Sequence, residues 1–323
     1  MAQDPRVLLQ KAQRRGRSPA LLVDSASSVV EARNSNAQPV QYPLNEHTTP
    51  PPTNHIFSDG HSINDNVLDL YMQAANAFRM QKLNKEAGSC FEKAAAIQAD
   101  KLSEPDDMAN TLTEAFKVYR KDEPEAAARV LTKSIQHYTL KGNFRRAATH
   151  QNNLAELYEN ELGDVKRALE AYETAAGWYE SDNAEALANK LFLKVADLAA
   201  MESDYYKAIG HYERVAKSSI SSNLMKWSVK DYFLKAGICH LASNDIVATN
   251  RALEQYRELD NTFASTREHA LLTDLAAAVE EGDQDAFADK LFQFDQLSKL
   301  DKWKTTLLLR VKNSIEEKGE DFS

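Results

Sequence analysis

Imidazole, thiolate and carboxylate side chains are where this chain could do chemistry, and their spacing argues against most of it. His47, His55 and His61 stand close together with Asp59 beside them, a donor set that suits zinc when its spacing is regular. Here the spacing is irregular and the surrounding sequence is rich in Ser, Asn, Pro and Thr. Solvated histidines are therefore expected, and no metal or other cofactor is assigned. Cys90 and Cys239 are the only cysteines; far apart and outside any CxxC or Cys/His pattern, they fit a reducing compartment rather than a disulfide framework. His137, His150, His211 and His240 each stand singly on predicted helices, where a surface or hydrogen-bonded core imidazole is expected. Glu156 and Glu159 in "HQNNLAELYENE" read as a solvated helix face rather than an acid/base pair. With no glycine-rich phosphate loop and no nucleophile, base and acid in a recognisable motif, the sequence predicts a protein that is not an enzyme.

The elements that carry these residues are helices in a repeat. The 323 residues are 43% hydrophobic and 27% charged, with only ten glycines and nine prolines. Four of the prolines (Pro43, Pro50, Pro51, Pro52) fall in one N-terminal stretch, which leaves the remainder free to be helical. Residues 16–66 show no sustained period and are expected to be disordered; helix is expected from about residue 67. Ala87, Ala127, Ala168, Ala208 and Ala248 recur every 40 or 41 residues, and a matching series, Ala75, Ala115, Ala155, Ala196 and Ala236, precedes them by 12 residues, or 13 at Ala155. Within the second helices the pattern is alanine, a large residue four on and a small one three further: Ala87/Phe91/Ala94, Ala127/Leu131/Ser134, Ala168/Tyr172/Ala175, Ala208/Tyr212/Val215. These offsets lie on one helical face. The fifth unit, Ala248/Ala252/Gln255, has decayed, as the end of a stack allows.

Small side chains let two antiparallel helices approach closely while an aromatic fills the groove beside them. This grammar resembles the tetratricopeptide repeat with about six extra residues per unit. The expected fold is all-α: a TPR-like right-handed α-solenoid of helical hairpins followed by a C-terminal helical bundle. The expected division is an N-terminal helix fragment at 1–15, the irregular stretch at 16–66, repeats at 67–259, and a bundle with an acidic tail at 260–323. A solenoid presents an extended surface, which favours a binding module. The net charge of −9 argues against a nucleic-acid partner. The absence of a signal-peptide pattern and of any apolar run of spanning length predicts a cytoplasmic protein.

Longer phrases carry a family resemblance. "FRRAATHQNNLAELYENEL", "ALANKLFLKVADLAA", "KWSVKDYFLKAGICH" and "DQLSKLDKWKTTLLLRVKNSIEE" resemble the α-SNAP (soluble NSF attachment protein) family, of fungal type, from about Val67 to the C-terminus with a short piece at Met1–Arg15. The Trp303 phrase favours the α/β type over the γ type. The resemblance implies an adaptor in vesicle fusion and intracellular transport, including ER–Golgi transport. Such an adaptor coats an assembled SNARE four-helix bundle and recruits the hexameric AAA ATPase NSF to disassemble it. A SNARE bundle is an acidic rod, and the resemblance implies Arg145, Arg146, Lys190, Lys194, Leu224, Trp227 and Lys230 as the residues that meet it. Asn143 and Thr149 stand where some relatives carry a basic residue, which puts more weight on Arg145 and Arg146. Asp245, Glu280 and Glu281 are the implied NSF contacts. Phe322 replaces the usual penultimate leucine needed to stimulate ATP hydrolysis.

The family's membrane loop, bearing Phe and Gly, has no counterpart in residues 16–66, where Ile56 and Phe57 are the only nearby apolar pair. Weak peripheral membrane contact at most is expected, with recruitment to membranes through SNAREs. A lineage-specific insertion and an unspliced piece of a gene model both fit the stretch, the second somewhat better. The alternative function is a generic TPR-like scaffold that binds peptide tails or a chaperone through a clamp of basic and Asn residues.

Overall fold

A computed structural model describes residues 4–16 and 56–320. Its regular structure among the described residues is fourteen α-helices and two short 3₁₀ turns. The helices are α1 (Pro5–Gly16), α2 (Ile56–Met80), α3 (Asn84–Asp100), α4 (Pro105–Tyr119), α5 (Pro124–Leu140) and α6 (Phe144–Asn160) in a first compact unit that ends at Gly163. The second unit, from Asp164, contains α7 (Val165–Ser181), α8 (Glu185–Met201), α9 (Tyr205–Ile220), α10 (Val229–Ala242), α11 (Ile246–Leu259), α12 (Arg267–Glu281), α13 (Gln284–Leu297) and α14 (Lys302–Glu320).

Each unit is a run of helices in which every helix packs on the next, so the all-α reading of the repeat holds. Ala75, Ala115, Ala155, Ala196 and Ala236 are fully buried, as are Ala87, Ala127, Ala168 and Ala208. The second series falls at the fourth residue of α3, α5, α7 and α9, with Phe91, Leu131, Tyr172 and Tyr212 buried one turn on. Ala248 is half-buried and Gln255 exposed, which matches the decay of the fifth unit. The thirteenth residue between Ala155 and Ala168 lies in the connection 161–164, where Gly163 adopts φ +65°, a left-handed conformation that glycine takes without strain.

Helix α2 begins at Ile56, ahead of the start near residue 67 expected from composition. "IFSDGHSINDN" is poor in helix formers, but α2 packs against α1. α1 buries Pro5, Leu8 and Ala12, and Asn64 and Val67 of α2 are also buried. Packing of an amphipathic face outweighs propensity here.

In the second unit α14 returns to helices far earlier in the chain. Trp303 Nε1 donates to the Asp197 carbonyl at 3.0 Å, and Lys304 Nζ lies 2.8 Å from Asp231. The Arg310 guanidinium donates to the Met201 carbonyl at 2.9 Å and the Ala200 carbonyl at 3.3 Å. A cation at the C-terminus of α8 satisfies carbonyls that the helix leaves open and complements its dipole. The bundle expected over 260–323 is thereby tied to α8 and α10. Phe233 stacks on Tyr256 with ring centres 4.4 Å apart, and Phe263 packs edge-on against Phe233.

Candidate functional site

In the first unit Arg145 and Arg146 occupy the first turn of α6, where no acidic residue accompanies them. Cations at a helix N-terminus oppose the dipole, so helix stability gives no reason for the pair. Both are exposed, and Phe144 beside them is a large apolar side chain that the fold leaves partly open. Asn143 is the N-cap and accepts from Arg146 N at 3.3 Å. The capping bond explains the Asn.

The Arg146 guanidinium lies over the Tyr138 ring, 5.6 Å from its centre, and Tyr138 stacks on His150. Burial, and then the charges of Arg146 and Lys117, hold the His150 imidazole below its usual pKa. Its Nδ1 is buried with no hydrogen-bond partner. The unfolded chain therefore binds the proton first as pH falls, and stability drops from about pH 6.5 down to the folded pKa. Urea titrations should show this slope, and His150→Gln should flatten it; an unchanged slope in the variant would assign it elsewhere.

Three groups stand in the second unit. On α8, Lys190 is exposed and Lys194 half-exposed, while Phe192 and Ala196 are buried on the opposite side. Leu187, three residues before Lys190, is a further partly open apolar side chain. Between α9 and α10, Leu224 is 89% and Trp227 76% exposed, so Trp227 is not core. Leu224 sits in a turn and Trp227 in the 3₁₀ segment Lys226–Ser228 rather than on one continuous helix. Lys226 Nζ lies 5.4 Å from the Trp227 ring centre. Lys230 is partly committed to Glu268, at 2.9 Å.

The third group is acidic. Ser314 donates to the Asn244 side chain at 3.1 Å, and Gln284 donates to the Lys312 carbonyl at 3.2 Å. The turn before α11 and the start of α13 therefore meet one short stretch of α14. Asp245, Glu280 and Glu281, all exposed, thus share one end of the unit, together with Asp283. Asp245 and Asp283 also cap α11 and α13, accepting from Ala248 N at 2.9 Å and Ala286 N at 2.8 Å. Phe322 lies outside the described residues, as do His47 and His55. Among the described residues no group of three or more His, Cys, Asp or Glu side chains could hold a metal ion, and no helix is long and apolar enough to cross a membrane.

Comparison with known proteins decides the family. The family model for the soluble NSF attachment protein, SNAP, matches residues 50–316. The chain belongs to the SNAP family. A probable vesicular-fusion protein sec17 homolog from Neurospora crassa is 52% identical over 268 residues, covering 83% of this chain and 92% of the relative. The alpha-soluble NSF attachment protein of Saccharomyces cerevisiae is 40% identical over 83% of this chain and 92% of its own length. Its human counterpart is 37% identical over 81% and 88%. SNAP proteins are adaptors, not enzymes, and serve vesicle fusion. The SNAP match begins at residue 50, also ahead of residue 67, so the family's sequence starts before the composition of this chain suggests.

Phe144, Leu187 and Lys226 were not singled out by sequence. A helical apolar residue is normally assigned to the core, and only burial separates these from their neighbours. The signal available was position: Phe144 and Leu187 fall in the first turn of a first helix, close to the cations.

Proposed function

We propose that this SNAP-family chain binds the assembled SNARE four-helix bundle and recruits and stimulates an NSF-type hexameric ATPase, so that the bundle is taken apart during vesicle fusion and protein transport. One observation carries the reading beyond family membership. Each basic candidate group has an exposed apolar side chain beside it: Phe144 with Arg145 and Arg146, Leu187 with Lys190, and Leu224 and Trp227 with Lys226 and Lys230. Cations steer an acidic rod into register and suppress wrong partners, and desolvated apolar anchors supply the affinity that screening does not remove. The acidic end formed by Asp245, Glu280 and Glu281 suits a basic ATPase domain. Phe322 is assigned to stimulation of ATP hydrolysis on family likeness alone. Direct membrane contact is weak in this reading, and SNAREs bring the chain to the membrane.

The test is disassembly of a fluorescently labelled soluble SNARE bundle by NSF and ATP, with and without the chain. Loss of the bundle is expected only with all components present. Asp245→Asn with Glu280→Gln and Glu281→Gln retains a capping side chain and should abolish recruitment of the ATPase while leaving bundle binding intact. A folded wild-type chain that leaves the bundle assembled would overturn the reading.

A further inference from the structure

The last helical hairpin leaves a large apolar surface open. α13 is 14 residues long, yet Phe287 is its one fully buried residue. Phe292 is 66% exposed, Leu297 70% and Leu309 of α14 56%. The outer face of a terminal repeat is ordinarily polar, because nothing stacks on it. Here α13 and α14 instead enclose a groove of about 490 Å³ with Leu291 and Leu308 in its lining, and Phe292 and Leu309 along it. None of these side chains belongs to the basic or acidic groups assigned above.

Charge says what would fill the groove. Lys299 and Lys312 both line it. Lys312 lies beside the start of α13, where Gln284 reaches its carbonyl, and Lys299 follows the end of α13 at Leu297. The two lysines therefore stand towards opposite ends of the groove. The single carboxylate of the lining, Asp295, pairs with Lys299 at 2.7 Å and accepts from Leu300 N at 2.8 Å, so the lining keeps a net positive charge that rests mainly on Lys312. We propose that this groove binds an amphipathic helix of a partner protein, its apolar stripe against Phe292 and Leu309 and acidic residues at its two ends, one facing Lys312 and the other competing with Asp295 for Lys299. Two packed helices offer a third helix a groove that accepts its ridge of side chains, which is how helix-in-groove recognition works.

The probe is a fluorescein-labelled helical peptide of about 18 residues with leucines at i, i+3, i+4, i+7 and i+11 and glutamates at both ends. A second peptide carries lysines in place of the glutamates. The full-length chain should bind the glutamate peptide about tenfold more tightly than the lysine peptide at low salt, a difference of about 1.4 kcal/mol. Phe292→Asp combined with Leu309→Asp should lose at least that factor with unchanged circular dichroism. Lys299→Glu combined with Lys312→Glu should reverse the preference between the peptides. Equal binding of both peptides, or binding indifferent to the Phe292/Leu309 variant, overturns the proposal. So does a dimer in sedimentation velocity that Phe292→Asp breaks and the glutamate peptide does not displace; a second copy of the chain would then be the occupant.

Discussion

Gly88→Ala should lower the melting temperature of the first unit by several degrees, although a glycine inside a helix normally gains stability on this change. Helix propensity alone promises about 1 kcal/mol in favour of alanine. Against it stands the Tyr119 ring: a Cβ on Gly88 would come within 2.3 Å of Tyr119 Cζ and 2.4 Å of its Cε1. Those are rigid ring atoms, not the far end of a flexible side chain, and Tyr119 is buried. Its hydroxyl also donates to Glu92 at 2.9 Å, and Glu92 accepts two bonds from the Arg129 guanidinium, at 2.6 and 2.9 Å. Moving the ring therefore disturbs a three-residue network joining α3, α4 and α5. Overpacking costs about 1–3 kcal/mol, occasionally more, and loss of the tyrosine hydrogen bond about 1 kcal/mol, so the net loss should be near 2 kcal/mol. The diagnostic comparison is with Tyr119→Ala, which by itself should cost about 3–5 kcal/mol. If the clash is the cause, Gly88→Ala should become stabilising in the Tyr119→Ala background, by about 1 kcal/mol of helix propensity, because the opposing contact has gone. Stabilisation by the single Gly88→Ala change would sink the argument.

The same glycine shows where the sequence stops being readable. The alanine series and its aromatic partners follow from a 40-residue period, because the condition they satisfy, close approach of neighbouring helices, recurs in every unit. Gly88 sits in one of those helices, but its partner Tyr119 is specific to the next hairpin and leaves no periodic trace. Trp303, Lys304 and Arg310 are similar. Nothing in "LDKWKTTLLLR" states that Arg310 will close the end of α8, more than a hundred residues earlier; that contact exists only once α14 has packed across α8 and α10.

The acidic group was legible as three separate residues. Their assembly at one end was not, because Asp245 and Glu280 are brought together by α14, through Asn244 and Gln284. The start of α2 was misplaced for the complementary reason. Local composition spoke for irregular chain, and the contact with α1 that makes it helical is tertiary. Exposure was the other unreadable quantity. Trp227 and Phe233 belong to the same phrase, "KWSVKDYF", yet Trp227 projects outward and Phe233 is fully buried.

Trp227→Ala should weaken binding of the soluble SNARE bundle by roughly 30-fold, the factor that accompanies loss of an aromatic anchor worth about 2 kcal/mol. Its exposure decides the competing explanation. A ring buried in the core would take several kcal/mol of stability with it, whereas a side chain with 76% of its surface in solvent should change unfolding by no more than about 0.5 kcal/mol. The cations give a contrast that a general loss of fold could not produce. Arg145→Glu with Arg146→Glu acts through charge, so its effect should be large at low salt and shrink as salt is raised towards 1 M, where screening acts over about 3 Å. The Trp227→Ala deficit should persist across that range, because apolar burial is not screened. Lys230→Ala should rank below both in binding and should also cost some stability, since it leaves Glu268, only 12% exposed at its side chain, without its cation. A Trp227→Ala chain that binds the bundle like the wild type would remove the apolar anchor from the interface and leave the basic side chains as its sole basis.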